Sequence, residues 1–176
     1  MIGDWQVCAQ IDYVASQKSL VYCIYMDNKF KIRTAISDDL ERLLKLYTHL
    51  TPNNVPFPSN IAEEIFSRFS RYDGSAILLG EIYDELVSSC TVVVIPNLTR
   101  GGTPYALIEN VVTEADHRRQ GYGKLVLDAA TNHAWDCGCY KVMLMTGSNE
   151  GATLAFYESV GFKHSKTGFQ KRRSVT

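Results

Sequence analysis

Between Tyr105 and Cys137 an apolar strand pattern, Tyr-Ala-Leu-Ile-Glu-Asn-Val-Val, runs through a basic, glycine-containing turn into an amphipathic helix pattern. The turn reads Arg118-Arg119-Gln120-Gly121-Tyr122-Gly123-Lys124. Its two glycines carry no Cβ, so an incoming oxygen can reach backbone amides that a side chain would shield. Those amides open a helix, where unpaired N–H groups and the positive end of the macrodipole favour an anion, and two arginines and a lysine add charge. A strand, such a turn and a helix in this order form a phosphate-binding device. Neither the Gly-x-x-x-x-Gly-Lys-Ser/Thr loop of nucleotide hydrolases nor the three-glycine dinucleotide fingerprint is present, so a different phosphorylated ligand is implied.

The chain has 176 residues, enough for one domain with a real core. Its net charge of −1 and 45% hydrophobic content indicate neither disorder nor a general nucleic-acid-binding charge. No apolar run approaches the roughly 20 residues that span a bilayer, and the N-terminus lacks the pattern of a secretion signal, so the expectation is a cytoplasmic protein without a membrane partner. Five cysteines, Cys8, Cys23, Cys90, Cys137 and Cys139, lack zinc-type spacing and read as free thiols. No metal is expected, since no cluster offers three spaced ligands.

Residues 1–28 are expected to be an N-terminal extension, with residues 29–176 as the domain. Met26 stands just before a first strand pattern, Lys31 to Ala35, and is a candidate natural start. After Ser37, read as an N-cap, Asp38, Asp39 and Glu41 place acidic charge in a first helical turn, and Leu40, Leu43, Leu44 and Tyr47 recur at helical spacing. Three prolines between Pro52 and Pro58 break that helix into a stiff loop. A second helix from about Ser59 presents Ile61, Ile65, Phe66 and Phe69 on one side. Two strands, Ala76–Ile82 and Leu86–Ile95, join at Tyr83-Asp84-Glu85. The helix after the turn has Val126, Ala129, Ala130, Ala134 and Cys137 along one stripe. Tyr140–Thr146 reads as a strand covered on both faces. A last helix is expected from near Gly151 to Val160, with Gly161 in the left-handed position after its end and Phe162 starting a closing strand. Lys163, Lys166, Lys171, Arg172 and Arg173 follow without an acid, as a solvated tail or a phosphate contact.

The pattern Arg118-x-x-Gly121-x-Gly123 after a Val-Val-Thr strand end resembles the acetyl-CoA signature of the GNAT superfamily of N-acetyltransferases. The Tyr140–Met145 strand and the run Leu154-Ala-Phe-Tyr-Glu-Ser-Val-Gly-Phe162 resemble that family's following elements in order. The resemblance implies an α/β (α+β) fold: a central, mostly antiparallel mixed sheet of about six to seven strands flanked by about four helices. It implies acetyl-CoA as co-substrate, with its pantetheine arm lying along Val111, Val112 and Thr113 like an added strand. The pyrophosphate would rest on the amides from Arg119 through Gln120, Gly121, Tyr122 and Gly123 to Lys124, with Arg118, Arg119 and Lys124 supplying charge. Tyr157 matches the tyrosine thought to protonate the departing thiolate, with a packed core tyrosine as the alternative. Glu109, two residues from Val111 and read as sharing its face, is placed to take the ammonium proton; some members use such a glutamate and others none. The family's cofactor-contacting asparagine lies seven residues before the tyrosine, where this chain has Glu150; Asn149 is one position early.

The expected activity is transfer of an acetyl group to a primary amine of a small molecule, by direct attack in a ternary complex, in a single copy or a homodimer. The run Ile108-Glu-Asn-Val-Val-Thr113 resembles the glucosamine-6-phosphate N-acetyltransferases within the superfamily, although Asn110 replaces the usual aspartate. The proline-rich loop, with the two helices around it, is the candidate acceptor contact. Acetylation of protein lysines or N-termini, and an acetyl-CoA-binding module without turnover, remain open.

Overall fold

The structure is a computed structural model and describes residues 30–50 and 58–173. The expectations for residues 1–28, for Met26, and for all but the last residue of the loop 52–58 lie outside these residues.

Five strands form one sheet in chain order: β1 (Phe30–Thr34), β2 (Ala76–Ile82), β3 (Glu85–Ile95), β4 (Tyr105–Thr113) and β5 (Val142–Leu144). The first three pairings are antiparallel, and β4 with β5 is parallel. The β2–β3 connection is a two-residue hairpin in which Tyr83 and Asp84 both take positive φ, 48° and 65°, the geometry that matches strand twist. α1 (Leu40–Tyr47) and α2 (Ser59–Phe69) cross from β1 to β2, α3 (Tyr122–Asp136) from β4 to β5, and α4 (Gly151–Ser159) follows β5.

The sheet is covered on both faces. On one, α3 packs across β2, β3 and β4. Ile32, Leu78, Val92 and Ile108 meet Val126, Leu127, Ala130 and Ala134 there, joined by Phe156 and Tyr157 of α4. On the other, Leu43 and Leu46 of α1 meet Leu79, Leu86 and Val112. At about 25 cal/mol per Å² of apolar surface, these two layers supply most of the drive for folding.

Several expectations change in three dimensions. The start of α1 is tied by Asp39 and not by Ser37: the Asp39 carboxylate accepts from the Ile36 amide (2.9 Å) and pairs with Arg33 and Arg42. Asp39 and Glu81 are buried, at 2% and 3% exposure, and share the Arg33 guanidinium, so an acid that reads as helix-end charge is the centre of an internal ion cluster. On α2 it is Ala62 that is buried, whereas Ile61 and Ile65 face outward. β5 is only three residues long and half-buried, an edge strand paired on one side among the described residues. Residues 162–173 form no strand, so the closing strand expected from Phe162 is not made there.

Candidate active site

The site begins where β4 and β5 part. Their pairing runs from Ala106 opposite Val142 to Ile108 opposite Leu144 and stops. Beyond it, Glu109, Asn110 and Val111 diverge from Met145, Thr146 and Gly147, and the gap opens into a cavity of about 350 Å³. Tyr157 from α4 and Leu50, just past α1, complete its walls.

A bulge in β4 sets which side chains look where. Thr91 pairs with Glu109 and Ser89 with Val112, so Cys90 alone stands opposite Asn110 and Val111. Asn110 takes the extra position with φ 52°, a left-handed conformation that asparagine tolerates better than most residues. Before the bulge Ala106 and Ile108 face α3; after it Val111 faces α3 and Val112 faces α1. Glu109 therefore lies on the α1 face with Val112, not on the face of Val111 as simple alternation predicts. It is half-buried and reaches the cavity from that side.

Glu109 and Tyr157 thus come from different elements to one space. Burial pushes the Tyr157 phenol above its ordinary value, and the nearby Glu109 carboxylate pushes it further the same way. The hydroxyl is held in its protonated form across the physiological range.

Val111, Val112 and Thr113 continue β4 past the end of β5. Their strand edge has no β-strand neighbour among the described residues, so it can accept an added strand. Ser88 donates to the Val112 carbonyl (2.9 Å) and stands 3.1 Å from the Thr113 hydroxyl, while Arg118 donates to the Thr113 carbonyl (3.1 Å).

The basic turn follows directly. A one-turn 3-10 helix, Ala115–His117, is capped by Glu114, whose side chain accepts from the Asp116 amide. Arg119 and Gly121 take positive φ, 61° and 90°, and the first backbone bond of α3 is Leu125 to Gly121, so the earlier amides face outward from the helix start. A Cβ at Gly121 would stand in open space with nothing within 4 Å, at the place a phosphate would approach. A Cβ at Gly123 would come within 3.1 Å of the Thr113 hydroxyl and 3.5 Å of Phe156, so this glycine also serves packing.

Arg118, Arg119, Gln120 and Lys124 are exposed around the turn. Gln120 donates to the Asp116 carbonyl (3.0 Å), and the Tyr122 ring stacks on Phe30 with centroids 4.8 Å apart. The side chain of Tyr122 is therefore structural, and only its amide faces the turn. An outward strand edge leading to a cationic helix start with open amides fits a phosphorylated ligand bearing an amide-rich arm, as acetyl-CoA has.

Asn149 is exposed and outside the cavity walls. Its neighbour Ser148 caps α4, accepting from the Glu150 amide (3.2 Å) and donating to the Thr153 hydroxyl (3.3 Å). Leu50 and the Met145–Gly147 stretch were not expected at the site from the sequence, because they enter only through strand divergence, whereas Asn110 stood out only as a departure from the usual aspartate. Among the described residues no group of three or more His, Cys, Asp and Glu side chains is gathered to hold a metal ion, and no helix is long and apolar enough to cross a membrane.

Comparison with known proteins places this geometry. The acetyltransferase (GNAT) family matches residues 40–162. The glucosamine 6-phosphate N-acetyltransferase of Trypanosoma brucei brucei is 29% identical over 135 residues, 76% of this chain and 88% of that protein. A solved structure from Agrobacterium tumefaciens str. C58, assigned as an acetyltransferase, has a TM-score of 0.78 at 41% identity over 81% of this chain and 99% of its own. The glucosamine-6-phosphate N-acetyltransferase of Arabidopsis thaliana has a TM-score of 0.75 over 82% and 99% of the two chains; at 23% identity it speaks for the fold alone. With the family matched from α1 to the end of α4, and the parted strands and glycine turn in their places, the chain belongs to the GNAT family of acetyltransferases.

Proposed function

We propose that this protein transfers the acetyl group of acetyl-CoA to a primary amine of a small molecule, by direct attack while both substrates are bound. The observation that carries the reading is the meeting of Glu109 and Tyr157 in one cavity of about 350 Å³, beside a strand edge that leads to the glycine turn. That volume suits a small amine.

Acetyl-CoA brings the activated acyl group and a thiolate able to leave. The Glu109 carboxylate takes the proton of the ammonium, forming an O–H bond and freeing the nitrogen lone pair. The amides of Val111 and Val112 hold the carbonyl oxygen as negative charge develops. The freed nitrogen attacks the thioester carbon, the C–N bond forms as the C–S bond breaks, Tyr157 donates its hydroxyl proton to the departing sulfur, and the surplus proton on the nitrogen restores the phenol. The two steps are coupled through charge. While Glu109 is ionised it holds the phenol proton more tightly; once neutralised by the ammonium proton it releases that hold when the acid is needed. Arg118, Arg119 and Lys124 and the amides from Arg119 to Lys124 bind the pyrophosphate, whereas Asn149 has at most a peripheral part.

An amino-sugar phosphate, the substrate named for the Trypanosoma relative, is the first acceptor to try. Gly168 lies beside Met145 at the cavity wall, so the basic C-terminal segment around it is the candidate contact for an acceptor phosphate. We take the domain to span residues 29–176, and the free thiols of Cys90, Cys137 and Cys139 suit a cytoplasmic location.

Initial rates with acetyl-CoA and an amine both varied test the mechanism. Intersecting double-reciprocal lines are expected; parallel lines would mean a covalent acetyl-enzyme and contradict direct attack.

A further inference from the structure

Three buried hydroxyls lie on the α1 face of the sheet, directly beneath the β4 bulge. They belong to Tyr47, Ser89 and Thr91, and none makes a hydrogen bond within the chain. Ser89 and Thr91 are 0% and 7% exposed and stand two apart on β3, so both point to the same side. Buried hydroxyls are ordinarily paired, and three orphans in one place require a partner. The Tyr47 phenol is pushed up by burial, with the Thr91 and Ser89 hydroxyls beside it acting against that push. The three are thus neighbours around one point. A buried water typically makes about three hydrogen bonds to such groups.

The cluster is also next to the chemistry. Thr91 is the cross-strand partner of Glu109, and alternation with Ile108, which faces α3, puts Glu109 on this same face. Directly opposed residues place their Cβ atoms about 5 Å apart, within the span of one bridging water. Had β4 run on without the bulge, Val111 and not Val112 would share this face with Glu109.

We propose that the Tyr47, Ser89 and Thr91 hydroxyls hold an ordered water that donates to the Glu109 carboxylate, so that these three are positioning residues that keep the base ionised and aimed. A hydrogen-bond donor favours the charged form of a carboxylate over the neutral one and fixes the direction of its oxygens. The other ionisable group facing Glu109 across the cavity is Tyr157, and among the described residues no further ionisable side chain lines that space. The role assigned here rests on Glu109 being the base, but the arrangement itself does not.

Two measurements separate the claims. Carboxyl-carbon NMR titration of Glu109 in the parent, Tyr47→Phe and Thr91→Val proteins reads the tuning without any substrate. Each substitution keeps the shape and removes one hydroxyl, and each should raise the Glu109 pKa by about 0.5 to 1 unit, with Thr91→Ser restoring it. A Glu109 pKa unchanged in both folded variants would overturn the proposal and leave the hydroxyls a packing feature. The pH profile of kcat/KM with Glu109→Gln then tests the base on its own: the parent's acid limb should give way to one set by the amine's own ionisation, and in Tyr47→Phe the parental limb should move upward with the NMR value. An acid limb left unshifted in Glu109→Gln would overturn the base, and with it the catalytic half of this proposal, whatever the titration shows.

Discussion

At the scale of single residues, the account turns on two side chains and one bulge. Tyr157→Phe keeps the ring that packs against the α3 layer and removes the hydroxyl alone. Turnover should fall by about 100- to 10,000-fold with acetyl-CoA binding retained, and kcat should fall together with kcat/KM, because the lost interaction acts in the transition state. Steady-state kinetics and calorimetry on the same preparation check both halves. A second expectation concerns the pair. Since the Glu109 charge helps to raise the Tyr157 phenol, Glu109→Gln should lower the Tyr157 pKa toward its ordinary value, readable by NMR of ring-labelled tyrosine. The rate penalty of Glu109→Gln should also shrink as pH rises and free amine becomes abundant. Both residues were legible in the sequence, Glu109 as a lone carboxylate in an apolar strand and Tyr157 through its run. That Glu109 and Val111 lie on opposite faces was not. It depends on Asn110 taking φ 52° opposite Cys90, and a bulge is a property of two paired strands that period-two alternation in one strand cannot reveal.

At the scale of elements, the turn before α3 was read almost completely, because glycine spacing and local charge are chain-local signals. The structure divides the labour of its two glycines. Gly121→Val must adopt φ 90° with a β-branched side chain in the open space over the helix start, so acetyl-CoA affinity should fall by at least tenfold while the fold survives. Both substitutions should lower thermal stability, Gly121→Val through backbone strain and Gly123→Val through its contacts with Thr113 and Phe156. Thermal melts with Gly121→Asn, which tolerates positive φ, and Gly123→Ala separate the two causes: the first should recover most of the lost stability and the second should not, and the reverse would contradict this division. The ion cluster under α1 shows where local reading stops. Asp38, Asp39 and Glu41 look alike in sequence, but only Asp39 enters the sheet and meets Arg33. Burial alone would raise its carboxyl; the Arg33 guanidinium, the Ile36 amide and Arg42 outweigh that and hold it at about 2. A depressed carboxylate stabilises the fold above its unfolded pKa of about 4, and that contribution is lost as pH falls toward 2. Asp39→Asn should therefore cost about 3 kcal/mol at neutral pH, and the difference from parent should disappear in acid. The short, half-covered β5 failed the opposite way: its apolar run reads as a central strand, whereas the described chain supplies a neighbour on one side only.

At the scale of the molecule, one sheet serves as both scaffold and site. Antiparallel strands β1 to β4 build a two-faced core, and the change to parallel pairing at β5 forces the chain through the α3 crossover, which sets the glycine turn and the start of α3 beside the end of β4. The parting of β4 and β5 then makes a cavity at the carboxyl ends of both strands, walled also by Leu50, just past α1, and by Tyr157 of α4. The central claim is that a small amine receives the acetyl group there. It is tested most directly by following free thiol released from acetyl-CoA while the protein is offered a panel of small amines, amino-sugar phosphates among them, alongside lysine-bearing peptides. The account predicts thiol release that depends on a small amine, with a matching acetylated product by mass spectrometry and loss of the signal in Tyr157→Phe. Tight acetyl-CoA binding with release only from the peptides, or with none from any amine, would contradict it.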